Sequence, residues 1–290
     1  MNKKKAAVYI LLGQSNAVGH GVPMKEEDII SKPLKNVFGL SRELNQSFDI
    51  SELKWTGYTS FGMNLAETQD NTYSVANCLA SIWQNEIDNG EDLPDLHIVQ
   101  IAIGAEGVTK KYKWYPHMEK KLIPGVLGVV NISLFPFSEH IFSLLDKSFK
   151  DMGKDYEIIG VHWRGGENEI TEDTEYLKKE LYGIYREIFD SFNGILNDPP
   201  TILHKFVAID RVNDIDPTGE MLVRLNIIND VFNQLCETYP NFSMFDPTEA
   251  PQFIPDVRCN GIFIEDAVHF TPEVNKWVAQ RVLEEYIKTK

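Results

Sequence analysis

Five apolar runs punctuate the chain: 6–13 (AAVYILLG), 96–104 (LHIVQIAIG), 157–163 (EIIGVHW), 201–209 (TILHKFVAI) and, more weakly, 242–246 (FSMFD). Within them apolar positions follow one another instead of alternating with polar ones. Such continuous runs mark strands covered on both faces, as in a parallel sheet. Between them the period changes to that of a helix. Residues 73–87 keep Val75, Leu79, Ile82 and Trp83 on one side, and 175–192 keep Leu177, Leu181, Ile184, Tyr185 and Ile188. The stretch 221–239 does the same with Leu222, Leu225, Ile228, Phe232 and Leu235. A last helix is predicted over 272–287, with Thr271 as N-cap and Pro272 at the first helical position.

Strands alternating with helices predict an α/β fold, a three-layer α/β/α sandwich with a central parallel sheet of the doubly wound, flavodoxin-like kind. At 290 residues the chain is long enough to form it as one large domain spanning 1–290. In such sheets ligands sit beyond the carboxyl ends of the strands. That places Gly13–Gln14–Ser15–Asn16, the segment from Gly104 to Gly107, and the segment from Arg164 to Glu167 at one rim. The stretch 105–140 fits neither period. It carries Lys110, Lys111, Trp114, Tyr115 and His117 and then a Gly/Pro-rich part over 124–136, and reads as an excursion over that rim.

Charge and cysteine content narrow the function classes. A net charge of −15 disfavours a nucleic-acid or anionic-membrane partner. No stretch approaches the roughly 20 apolar residues of a membrane span. The start MNKKKAAVYILLG has the basic head and apolar stretch of a secretory signal. Its apolar part is short, however, and cleavage after Gly13 would remove the strand that holds Ser15. The expectation is an uncleaved N-terminus and a cytoplasmic protein. Cys78, Cys236 and Cys259 are too scattered for a disulfide framework or a cysteine metal site.

The polar tetrapeptide after the first run is the candidate for chemistry. A serine hydroxyl becomes a useful nucleophile only when a base takes its proton, and the base works best when a carboxylate orients it. Among seven histidines, His97, His162 and His204 lie inside apolar runs, and His20, His117 and His140 have no suggestive acidic neighbour in sequence. His269 differs. It follows Asp266 by three residues in a loop just before the last helix, where both side chains can turn to one pocket. The trio His162, Glu167 and Glu169 has no recognised metal-ligand spacing, and no metal or other cofactor is expected.

Gly13-Gln14-Ser15-Asn16 after the first strand, Trp163-Arg164-Gly165-Gly166-Glu167 in the middle, and Asp266-x-x-His269-Phe-Thr-Pro-Glu273 before the last helix together resemble the SGNH/GDSL hydrolase superfamily. Within it the chain is most similar to the sialate O-acetylesterase-like and acetylxylan esterase group, whose blocks read GQSN, WxQGExD and DGVHFTPEG. The resemblance implies Ser15 as nucleophile, His269 as general base and Asp266 as its orienting carboxylate. It implies an oxyanion hole built from the Ser15 amide and a glycine amide, Gly107 first and Gly104 second. Gln14, Asn16 and Glu167 would scaffold the turn and the loops around it. The reaction implied is removal of acetyl groups from a small-molecule or oligosaccharide acetyl ester. Another short-chain acyl ester or thioester, or glycan binding without catalysis, are the alternatives.

Two departures stand out. Gly165 occupies the place of the group's oxyanion glutamine, next to Arg164, which offers a substitute donor, a grip on a substrate carboxylate or a structural ion pair with Glu167 or Glu169. Ala267 occupies the place of a glycine. Trp114 and Tyr115 suit either stacking on a sugar ring or packing as a cap over the rim.

Overall fold

The computed structural model describes residues 4–67, 72–124, 130–208, 216, 218–255 and 257–290. The chain opens with β1 (Ala6–Gly13), the short α1 (Ser15–Val18), β2 (Val37–Leu40), the one-turn α2 (Arg42–Asn45), β3 (Trp55–Gly57), α3 (Val75–Asp88) and β4 (Leu96–Ala102). It continues through β5 (Leu122–Pro124), β6 (Val130–Ile132), α4 (Leu134–Ser143), α5 (Leu145–Asp151), β7 (Tyr156–Arg164) and α6 (Thr174–Leu196). It closes with β8 (Thr201–His204), α7 (Glu220–Thr238), β9 (Phe242–Phe245) and α8 (Pro272–Lys288).

Seven strands form one sheet in the order β3-β2-β4-β1-β7-β8-β9, parallel except for the antiparallel edge pair β2–β3. β1 lies at the centre, hydrogen-bonded to β4 and β7, and all eight of its residues are buried. Its side chains divide between the two faces. Val8, Ile10 and Leu12 join a core with Phe137, Leu181, Ile188 and Phe232 from α4, α6 and α7. Ala7, Tyr9 and Leu11 join a second core with Leu79 and Trp83 of α3 and Val278 and Val282 of α8. Helices therefore cover both faces, which is the three-layer architecture expected from the unbroken apolar runs.

Local chemistry fixes where the helices begin. Ser74 and Asn77 cap α3 reciprocally, Asp173 accepts from Tyr176 at the start of α6, and Thr271 accepts from Val274 ahead of Pro272. α6 runs four residues past the sequence pattern at its end and α8 one. The run 201–209 gives a strand only as far as His204, and position 209 lies outside the described residues. The excursion is shorter than expected: the hairpin of β5 and β6 interrupts it, α4 takes over from Leu134, and 125–129 lie outside the described residues. Among the described residues no helix is long and apolar enough to cross a membrane. The three cysteines are free thiols.

The registers bring the strand ends level. Gly13 sits opposite Ala102 of β4 on one side and Arg164 of β7 on the other. The three segments singled out in the sequence thus emerge side by side at one rim.

Ile10, fully buried between Val99 and Val161, tests the central position of β1. Ile10→Ala is expected to lower unfolding free energy by about 3 kcal/mol, read as a lower urea midpoint with an unchanged slope.

Candidate active site

Gly13 makes the exit from β1 abrupt. Its φ is +136°, and a Cβ there would lie 2.1 Å from the Arg164 carbonyl oxygen, so only glycine fits. Ser15 follows as the first residue of α1 and is 9% exposed. Among the described residues no carbonyl or side chain accepts from the Ser15 or Asn16 amides, so both donors are free at the rim.

Side chains flanking Ser15 tie this turn to two distant segments. Asn16 Nδ2 donates to Glu167 Oε1 at 2.6 Å and to the Val268 carbonyl at 3.2 Å, while its Oδ1 accepts from the Phe270 amide at 3.2 Å. Gln14 Nε2 donates to the other Glu167 oxygen. Asn16 thereby grips the main chain on both sides of His269. Burial raises the Glu167 pKa, against the opposing effect of these donors and the Arg164 charge.

His269 and Asp266 pair as the spacing suggested. Nδ1 of His269 lies 2.6 Å from Asp266 Oδ2, and Asp266 Oδ1 accepts the backbone amides of Val268 at 2.9 Å and His269 at 3.0 Å. Partial burial works against the Asp266 charge, but these hydrogen bonds together hold its carboxyl below the ordinary range. Ala267 takes a φ of +60°, the left-handed region where the motif has glycine. The Nε2 of His269, on the far side of the ring from Asp266, is buried without a hydrogen-bond partner. No hydrogen bond joins it to Ser15 Oγ, so serine and dyad are brought to one rim without closing the proton path.

The two candidate oxyanion glycines part company. The Gly104 amide already donates to Glu67 Oε2 at 2.5 Å, and a Cβ on Gly104 would strike the His20 ring. Gly104 is therefore a packing glycine, which corrects its assignment as a donor. The Gly107 amide has no acceptor among the described residues. Gly107 packs against Glu169, whose Oε1 accepts the Val108 amide at 2.6 Å.

Arg164 does not replace the missing glutamine. Strand alternation turns it under α8, where Nη1 donates to Asn275 at 2.7 Å and the guanidinium lies 5.0 Å from the centre of the Phe270 ring. It forms no ion pair with Glu167 or Glu169. Gly165 faces the Trp163 indole, whose Nε1 donates to the Gly165 carbonyl at 2.9 Å. Trp114 is fully buried, 4.8 Å from Trp163 between ring centres, and donates to the Gly13 carbonyl at 3.1 Å. It braces the serine turn from below and is closed to a sugar ring.

One pair escaped the sequence reading. His20 Nε2 lies 3.0 Å from Glu67 Oε1, and the His20 ring is 6.3 Å from that of His269. A second imidazole–carboxylate pair thus stands beside the first. No local spacing announces a carboxylate 47 positions along the chain. Among the described residues no group of three or more His, Cys, Asp or Glu side chains is placed to hold a metal ion.

No known family model matches the sequence, and no curated protein matches it. Solved structures do. A protein from Arabidopsis thaliana superposes with a TM-score of 0.58 at 16% identity, over 98% of this chain and 99% of that one. NanS superposes with a TM-score of 0.55 at 14% identity, over 98% of each chain. Est24, a carbohydrate acetylesterase from Sinorhizobium meliloti, gives 0.44 at 10% identity, over 99% of this chain and all of that one. The α/β fold expected from the alternating strand and helix patterns is the fold found.

Two outcomes follow from the geometry. Asn16→Ala leaves Glu167 and the 268–270 backbone short of partners, and is expected to cost about 2–3 kcal/mol by urea denaturation. Burial raises the Glu169 pKa to about 7. Since the unfolded carboxyl ionises near 4.5, the folded state holds the extra proton between those values, and this contribution to stability is lost as pH rises from about 4.5 to 7. Glu169→Gln is expected to flatten that part of a stability-versus-pH curve.

Proposed function

We propose that the protein is a serine esterase that removes acetyl groups from a carbohydrate or a glycan-derived molecule. One observation carries the reading. A histidine held by Asp266 presents a free, buried Nε2 on a loop that Asn16, the neighbour of Ser15, grips on both sides.

The Ser15 hydroxyl must turn to Nε2 before it can lose its proton. Oγ attacks the ester carbonyl as His269 accepts its proton, and Asp266 stabilises the imidazolium and fixes its orientation. The Ser15 and Gly107 amides are the available donors to the oxyanion, since each lacks a partner. The tetrahedral intermediate collapses by breaking the bond to the alcohol oxygen, which takes the proton from His269. Water, deprotonated by the same imidazole, then attacks the acyl-enzyme, and its collapse releases acetate and restores Ser15. No step calls for a cofactor.

The acetyl-sugar assignment rests on the three sequence blocks. Hydrolysis of p-nitrophenyl acetate and of an acetylated monosaccharide tests it. Ser15→Ala and His269→Ala are each expected to reduce turnover by about 10³-fold or more with the fold intact by circular dichroism. A fluorophosphonate should label the wild type and not Ser15→Ala. Undiminished turnover in Ser15→Ala refutes the nucleophile. Absence of both labelling and turnover in the wild type points to a protein that binds glycans without cleaving them.

A further inference from the structure

The second imidazole–carboxylate pair, His20 with Glu67, has no part in the proton transfers of Ser15, His269 and Asp266. It nevertheless borders the same site. The His20 amide donates to the Ser15 carbonyl at 3.0 Å, which fixes its backbone one turn beyond the nucleophile. Gly21 then passes so close to the first pair that a Cβ there would lie 3.2 Å from His269 Nδ1 and 3.4 Å from Asp266 Oδ2. The two imidazole rings stand 6.3 Å apart between centres, edge to face.

Glu67 determines how the His20 ring is presented. Its Oε1 lies 3.0 Å from His20 Nε2, and its Oε2 accepts the Gly104 amide at 2.5 Å. A carboxylate placed this way holds a hydrogen on Nε2 and leaves Nδ1 as the spare nitrogen. Gly104 makes room for that edge of the ring, because a Cβ there would lie 2.4 Å from Cε1 and 2.7 Å from Nδ1. The His20 side chain is 33% exposed. Nδ1 has no hydrogen-bond partner among the described residues. Unlike the spare nitrogens of Arg164, His204 and His269, it is not buried. The contact with Glu67 uses one nitrogen of His20, and the other is polar capacity left open beside the place where the alcohol departs.

In the esterase reading the alcohol oxygen takes its proton from His269 Nε2, so the carbon that bears it sits beside that ring. A hydroxyl on the next carbon comes within reach of a second ring 6.3 Å away. A hydroxyl also suits either form of His20, since it donates to a bare Nδ1 and accepts from a protonated one. A carboxylate suits the place less well, because Glu67 already supplies the negative charge beside the ring.

We infer that His20, oriented by Glu67, binds the hydroxyl vicinal to the scissile acetyl ester. The preferred substrates are then partial acetates of vicinal diols, the arrangement found in sugars, over plain alkyl acetates. This rests on the esterase reading of Ser15 and His269 and adds to it a reason for the choice of alcohol.

Two esters of matched ring size test the assignment: 2-hydroxycyclohexyl acetate, as its cis and trans isomers, and cyclohexyl acetate, with kcat/KM read from acetate release. The wild type is expected to favour the better hydroxy ester about tenfold over cyclohexyl acetate. His20→Gln keeps an amide for Glu67 where Nε2 stood and has nothing in the place of Nδ1, so the preference should fall to about twofold or less. His20→Phe, which also lacks that nitrogen, replaces it if His20→Gln does not fold. A purely structural role would lower both rates alike and leave their ratio unchanged. Failure of the esterase reading is separately visible as no turnover of either ester by the wild type. NMR titration with the same esters then reads the preference as a ratio of affinities. By either readout, no preference in the wild type, or a preference undiminished in the His20 variant, overturns the proposal.

Discussion

The rim of this protein depends on the two oxygens of Glu167. One accepts from Gln14 and the other from Asn16, the residues on either side of Ser15, and Asn16 passes the connection on to the backbone at 268 and 270. Segments 151 and 254 positions apart along the chain are registered by a single buried carboxylate and one amide. Burial opposes the charge on Glu167, so the arrangement depends on the donors that Gln14 and Asn16 turn to the carboxylate. This explains why a serine turn needs polar neighbours at all. An apolar residue at 14 or 16 would pack as well but would leave the carboxylate without donors.

The sheet was legible because its central strands are covered on both faces, and that condition writes itself as unbroken apolarity. β1, β4 and β7 follow from 6–13, 96–104 and 157–163 almost to the residue. The β2–β3 pair at one side of the sheet was not legible. β2 and β3 are four and three residues long, too short to establish a period. The helices α4 and α5 were hidden by Pro136 and by the Gly/Pro-rich stretch ahead of them, although Pro136 lies in the first turn of α4, where proline is tolerated.

In the site, what was readable was what is local. Asp266 and His269 are three apart, and the reason for pairing them lies in that interval. The Gly104 amide looked as available as that of Gly107 because Glu67 is remote in sequence, and the same remoteness hid the partner of His20. Arg164 illustrates a different limit. Its chain position puts it beside Glu167, yet alternation along β7 sends Trp163 to one face of the sheet and Arg164 to the other, under Asn275 and Phe270. Adjacency in sequence at a strand end separates side chains more often than it joins them.

The turn after β7 carries the last piece of logic. Gly166, at a φ of +136°, lets the chain leave the strand and enter a 3-10 turn over Glu167–Thr171. Two carboxylates two residues apart then diverge: Glu167 holds the serine turn, and Glu169 holds the Val108 amide on the other flank. Desolvation raises the pKa of both, and on Glu169 the Glu167 charge adds a smaller effect in the same direction. Their surroundings differ. Glu167 faces two side-chain amides and the Arg164 field, whereas Glu169 has one backbone amide and an oxygen without a partner. The 105–109 loop is held by a group that titrates near neutrality. One short turn thus fixes the nucleophile side of the rim firmly and leaves the Gly107 side the softer of the two.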